Sequence, residues 1–284
     1  MNCYKDIEAL RGRPLIVYVT KFITFQVANA PNQIDLGDVD GFTDLINSIP
    51  GQHRAVDVLI HSPGGRPDAT ERIVYLLRKR FDEVHFLVPH SAYSAATMLA
   101  LSGDSITLHS SATLGPIDPQ INGMPARSIK RGFAKVRDSI KPETLPAYLP
   151  LIEKYTLELL EICEDSEKLS KELVSEWLKT YMLKEEAFDG QVEKIVNYFS
   201  DYENHLLHSR PLVFNKLKDF QLKLDYADAQ LNDLLWEAHI VIESFLNMTA
   251  FVKLYENTFN VSWGRQYMPN LTIPQKGNLV ASEV

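Results

Sequence analysis

Cysteine is scarce in this 284-residue chain: Cys3 and Cys163 stand far apart, and neither has metal-ligand spacing around it. That excludes a disulfide scaffold and favours a reducing compartment. Long apolar runs are missing as well. The longest early stretch, 15–27, is interrupted by Thr20, Lys21 and Gln26, which is too short and too polar to cross a bilayer. No basic flank leading into an apolar run marks a signal peptide. A cytoplasmic chain without a membrane span is the expectation, and the sequons at Asn247, Asn260 and Asn270 then carry no meaning. Positive charge is in deficit, 29 Lys and Arg against 37 Asp and Glu, for a net charge of −8. A nucleic-acid partner would want the opposite balance. There is no internal repeat and no low-complexity segment.

The apolar content of 45% is ample for a core. In the first 121 residues short apolar runs alternate with helical patterns. Strands are expected at 15–19, 56–60, 84–88 and 105–108, with helices at 39–49, 69–81 and 94–101. Strands of that length separated by helices imply a parallel sheet with crossover helices, an α/β fold. Such sheets place their sites at the strand ends. Beyond residue 122 the pattern becomes helical, at 124–136, 148–182, 185–199, 212–219 and 229–255. A joint is expected at Cys163-Glu164-Asp165-Ser166, an edge strand at 220–224 and a loosely held tail from Asn257. The expected division is an α/β core at 1–145 and a mostly helical extension at 146–284, packed on the core or on a partner subunit.

Two strand-to-helix turns carry the chemistry. The run Val56-Asp57-Val58-Leu59-Ile60-His61 breaks at Ser62-Pro63-Gly64-Gly65, and Val84-His85-Phe86-Leu87-Val88 leads to Ala92-Tyr93-Ser94-Ala95-Ala96. Glycine without a Cβ lets backbone N–H groups approach an oxyanion, and a serine among small neighbours at a helix start presents its hydroxyl. Each signal has a plainer reading, a tight turn for the glycines and an N-cap for Ser94. Their order and proximity raise the chemical one.

Together with Leu114-Gly115-Pro116-Ile117-Asp118-Pro119-Gln120, these motifs resemble the Clp/crotonase fold. More narrowly they resemble the serine dehydrogenase proteinase family, relatives of signal peptide peptidase A. The close match spans about 56–121, with a weaker echo at 202–212. The resemblance implies a serine peptidase acting through an acyl-enzyme on Ser94, with an oxyanion hole from the N–H groups of Gly65 and Ala95. Gly64, His90 and Asp118 would line the site.

The general base has several candidates. Asp118 falls roughly where Clp relatives carry a histidine, but a solvated carboxylate is a poor base for a serine hydroxyl. The signal-peptide-peptidase relatives imply a lysine, here Lys130, Lys135 or Lys141. Lys135, 41 residues after Ser94, has the most apolar neighbours. His208 is the second candidate, as base or as a site-orienting residue. His205 and His208 lack a third ligand at recognisable spacing, so no metal and no cofactor is expected. His61, His85 and His109 read as core or edge histidines.

Peptide or protein substrates and a closed homo-oligomer follow from the resemblance. Trp236, Ile240, Ile242 and Phe245 offer an apolar helix face for association. Two other classes stay open: an inert binding or scaffold module, and acyl-CoA chemistry on the same fold. Arg66 stands alone near the first motif, without a basic cluster for a nucleotide phosphate.

Overall fold

The computed structural model describes residues 2–24, 30–153, 155–184 and 189–268. Asn270, the sequence beyond it, residues 25–29 and the start of the helix expected at 185–199 lie outside the described residues. Along the chain run α1 (Asn2–Arg11), β1 (Leu15–Thr20), α2 (Asp38–Ser48), β2 (Ala55–His61), α3 (Pro67–Arg80), β3 (Glu83–Val88), β4 (Ser91–Ala92), α4 (Ala95–Leu101), β5 (Ser105–Leu108) and β6 (Thr113–Leu114). There follow β7 (Gln120–Ile121), β8 (Met124–Pro125), α5 (Ala126–Ser139), α6 (Leu145–Ile152), α7 (Leu157–Trp177), α8 (Asp189–Ser200), α9 (Tyr202–His205), α10 (Phe214–Leu217), β9 (Leu224–Tyr226), α11 (Ala229–Met248), β10 (Phe251–Asn257) and β11 (Ser262–Gln266).

Among the described residues the main sheet has seven strands in the order β11-β10-β1-β2-β3-β5-β9. The five strands from β1 to β9 pair in parallel, and the β10–β11 hairpin joins β1 antiparallel. Side chains alternate along a strand, so each strand feeds two cores. Ile16, Tyr18, Val58, Ile60, Val84 and Phe86 pack on one face under α2, α3, α4, α7 and α8. Leu15, Val17, Val19, Leu59 and Leu87 pack on the other, against Ile7 of α1 and Leu231, Leu235, Ile242 and Leu246 of α11. Both faces of the parallel strands are covered, which is why they read as nearly unbroken apolar runs.

The expected strands and helices of the first half are present within a residue or two. The second half departs from its expectation. The mostly helical extension at 146–284 also supplies β9, β10 and β11 to the same sheet as β1. The helix expected over 229–255 ends at Met248, and residues 251–257 become a strand beside β1. Local helical pattern yields there to long-range pairing, whose buried partners only the fold supplies. The segment 257–266, expected to be loose, instead turns back into β11. The edge strand forms at Leu224–Tyr226, just past the expected run. No joint interrupts 163–166, which lies inside the continuous helix α7.

Candidate active site

Backbone hydrogen bonds join the two glycine- and serine-bearing turns. The Ser62 N–H donates to Ser91 O at 3.1 Å and the Tyr93 N–H to Ser62 O at 3.0 Å, a bridge between Ser62 and Ala92. Ser94 itself has φ 52° and ψ −123°, the left-handed side of the map, directly before α4. A non-glycine residue held there costs about 1–3 kcal/mol, and such strain gathers where a side chain must be presented. The turn is braced from behind by Thr97, whose hydroxyl donates to Ala92 O at 2.7 Å and accepts from the Gly115 N–H at 3.1 Å.

Gly64 fits tightly under this turn. A Cβ on it would lie 2.7 Å from Ala95 N and 2.7 Å from Ser94 Cβ, and would also strike Tyr93 O. Gly65 is pressed against Ile34, whose N–H donates to Gly64 O at 2.8 Å and whose carbonyl accepts from the Arg66 N–H at 2.9 Å. In a strand, alternate residues hydrogen-bond to opposite sides. Since Gly64 O and Arg66 N face Ile34, the Gly65 N–H faces away from it. Ala95 opens α4, where the first N–H groups have no partner within the helix. Gly65 and Ser94 line one cleft of about 690 Å³, shared with Tyr93, Ile117, His208 and Ser209.

His208 reaches the cleft from the loop after α9, where Leu206 adopts φ 64°. Its Nδ1 lies 2.8 Å from Asp118 Oδ1. Asp118 is almost fully buried, and its other oxygen accepts from Gln120 Nε2 at 2.9 Å. A two-way backbone bridge between Leu114 and Leu212 clamps the two loops together. The Asp118 carboxylate is therefore not solvated, as its sequence context suggested, but paired with the imidazole.

The remaining candidates lie elsewhere. Lys135 is solvent-exposed on α5 and does not line the cleft, because α5 turns Ala126 and Ile129 toward Cys163 of α7 and leaves the opposite side to water. Lys130 pairs with Glu164 and Glu167, and Lys141 is exposed. His90, expected to line the site, is not among the residues that line this cleft, and its ring stacks on His239 of α11, 4.9 Å between centroids. Tyr93 covers Gly115, where a side chain would strike its ring, and its hydroxyl bonds Thr113 Oγ1 at 3.0 Å.

Some lining residues carry no signal in the sequence. Gln33 comes from the segment before α2, and Ser166 and Ser170 come from one face of α7. The i, i+4 spacing of the two serines becomes informative only once α7 is seen to cover the cleft.

Ser94 on its strained turn, Gly65 and the carboxylate-held imidazole of His208 line one cleft. The chain belongs to the ClpP-like SDH-type serine proteinase family, whose pattern matches residues 2–236. It is thus a serine peptidase by family. An uncharacterized protein of Methanocaldococcus jannaschii, MJ1495, is 26% identical over 227 residues, covering 79% of this chain and 71% of the relative. A second from that organism, MJ0137, is 34% identical over 113 residues, 39% of each chain. Similar solved structures include a variant of ClpP1 from Listeria monocytogenes, with TM-score 0.44, 12% identity and coverage of 83% and 99% of the two chains. A variant of the 1510-N membrane-bound stomatin-specific protease has TM-score 0.42 and 18% identity, covering 70% and 77%. Among the described residues no helix is long and apolar enough to cross a membrane.

Proposed function

We propose that Ser94 is the nucleophile of this peptidase and that His208, held by Asp118, is its general base. The observation that carries the reading is the 2.8 Å contact between His208 Nδ1 and Asp118 Oδ1, made by a histidine that lines the cleft with Ser94. Donation of Nδ1–H to the buried carboxylate fixes the tautomer and leaves Nε2 as the proton acceptor. Ser94 Oγ attacks the scissile carbonyl carbon and its proton passes to His208 Nε2. The developing oxyanion accepts from the N–H groups of Gly65 and Ala95. His208 then gives the proton to the leaving amine, and water repeats the sequence on the acyl-enzyme. The roles run Ser94, Asp118, His208 along the chain. Lys135, exposed on α5, has no part in it.

The test is covalent labelling by a fluorophosphonate probe. Wild type is expected to take up one probe per chain at Ser94, identified by peptide mass. Ser94→Ala is expected to take up none while keeping its thermal stability. Equal labelling of the two proteins would remove Ser94 from the mechanism.

Substrate and assembly belong to the same reading. The cleft suits an extended peptide, and the two reduced, buried thiols suit a cytoplasmic setting. On α11, Ile242 is buried and Phe245 packs against the same cluster, while Trp236 and Ile240 remain 40% and 45% exposed. With Val241 beside them they leave an apolar strip that a homo-oligomer would cover. Light scattering is expected to give a mass of at least two chains at micromolar concentration; a 32.3 kDa particle would exclude self-association there.

A further inference from the structure

Three side chains outside the cleft converge without satisfying one another. His61 ends β2, and His239 and Glu243 stand one turn apart on α11, which covers that face of the sheet. One ligand atom from each lies within 4.8 Å of the other two. His61 Nε2 and Glu243 Oε1 are 3.7 Å apart, too far for a hydrogen bond, and neither buried atom has a hydrogen-bond partner among the described residues. Orphaned buried polar atoms are rare and costly, and two acceptors facing each other make a pocket suited to a cation.

We propose that His61, His239 and Glu243 bind a divalent transition metal, zinc by the chemistry of the set. Two imidazoles and one carboxylate are a zinc donor set, with water in the fourth position, whereas calcium and magnesium prefer all-oxygen shells. His61 is fully buried, and its Nδ1 is 3.1 Å from Ser91 O. The Ser91 N–H also lies 3.2 Å from that Nδ1; in the tautomer that donates Nδ1–H to the carbonyl, the Nε2 lone pair faces the other two ligands, the usual outer support of a metal-bound histidine.

The rings around the three ligands restrict their movement. Phe22 lies over His61 at 4.8 Å, His90 stacks on His239, and Trp236 packs on His239 at 5.3 Å. Bonds of about 2.0–2.1 Å set ligand-to-ligand edges of about 3.4 Å in a tetrahedron, so loading needs side-chain shifts of roughly 1 Å. The ion would tie α11 to the end of β2. It would also set the Ser91 carbonyl, which accepts from the Ser62 N–H where the two turns of the cleft meet. This site stands independently of the roles given to Ser94 and His208.

Cobalt reports on it directly. The purified full chain, stripped with chelator and shown to be folded by circular dichroism, is titrated with Co²⁺ and then with Zn²⁺. One equivalent of Co²⁺ is expected to give the visible absorption of a four- or five-coordinate ion, displaced one-for-one by Zn²⁺. Glu243→Gln, which keeps the shape of the side chain, and His239→Ala are expected to lose at least tenfold in affinity. His208→Ala is expected to bind as wild type does. Folded wild type that takes up no stoichiometric metal would overturn the proposal, as would uptake unchanged by Glu243→Gln. Should His239→Ala fail to fold, those two results still decide.

Discussion

His208→Ala is expected to slow phosphonylation of Ser94 by a fluorophosphonate roughly 10²–10⁴-fold, with fluoride as the leaving group, while Lys135→Ala is expected to react at the wild-type rate. The expectation follows from placement. A base must come within hydrogen-bond reach of the hydroxyl it deprotonates, directly or through one water. His208 lines the cleft with Ser94 and is held by Asp118, whereas Lys135 is exposed on α5 outside it. Asp118→Asn is expected to fall between the two, since a neutral amide holds the ring more weakly and no longer stabilises the imidazolium. Gel-based labelling time courses measure all three rates. A severe loss in Lys135→Ala beside a normal His208→Ala would replace the proposed base with the lysine.

The second large effect is on stability. Lys253 on β10 is completely buried, with its ammonium 2.8 Å from Asp38 Oδ1, 3.0 Å from Asp35 Oδ2 and 2.6 Å from Gln33 O. Tyr18, Tyr255 and the Asp35 N–H also donate to Asp38, and Arg265 reaches Asp35 at 2.7 Å. The two tyrosine hydroxyls are pushed above their ordinary range by burial and by the Asp38 charge, so both stay protonated as donors.

Lys253→Met keeps most of the volume and removes the countercharge from a buried carboxylate. Breaking a buried pair from one side costs about 3–5 kcal/mol. The lower end, about 3 kcal/mol, is expected because three donors to Asp38 remain. Urea titration should show it as a lower midpoint with an unchanged slope. A loss under about 1 kcal/mol would mean that the network is not under electrostatic tension.

The same substitution should reach the cleft. The ammonium holds Gln33 O and Asp35, the residues on either side of Ile34, and Ile34 is the bridge partner of Gly65. Loosening that segment frees the backbone beside the proposed oxyanion donor. Fluorophosphonate labelling of folded Lys253→Met is therefore expected to slow as well, by less than in His208→Ala.

Local pattern determined a good deal of this protein. Apolar runs of four to six residues bounded by Pro and Gly specify β1, β2, β3 and β5, and Gly64, Gly65 and Ser94 mark their turns, because each feature depends on neighbours a few residues away. The motifs were also enough to place the chain in its family. Tertiary structure decided what distant segments do to one another. It set His208 against Asp118, 90 residues away, and left Lys135 in water. It drew residues 251–257 into a strand beside β1, where Lys253 anchors the segment that flanks Gly65. It also brought His61 to His239 and Glu243, a pair one turn apart on α11 whose third member lies far away in the sequence. A side chain's environment is made by whatever packs on it, and in this sheet those partners come from both ends of the chain.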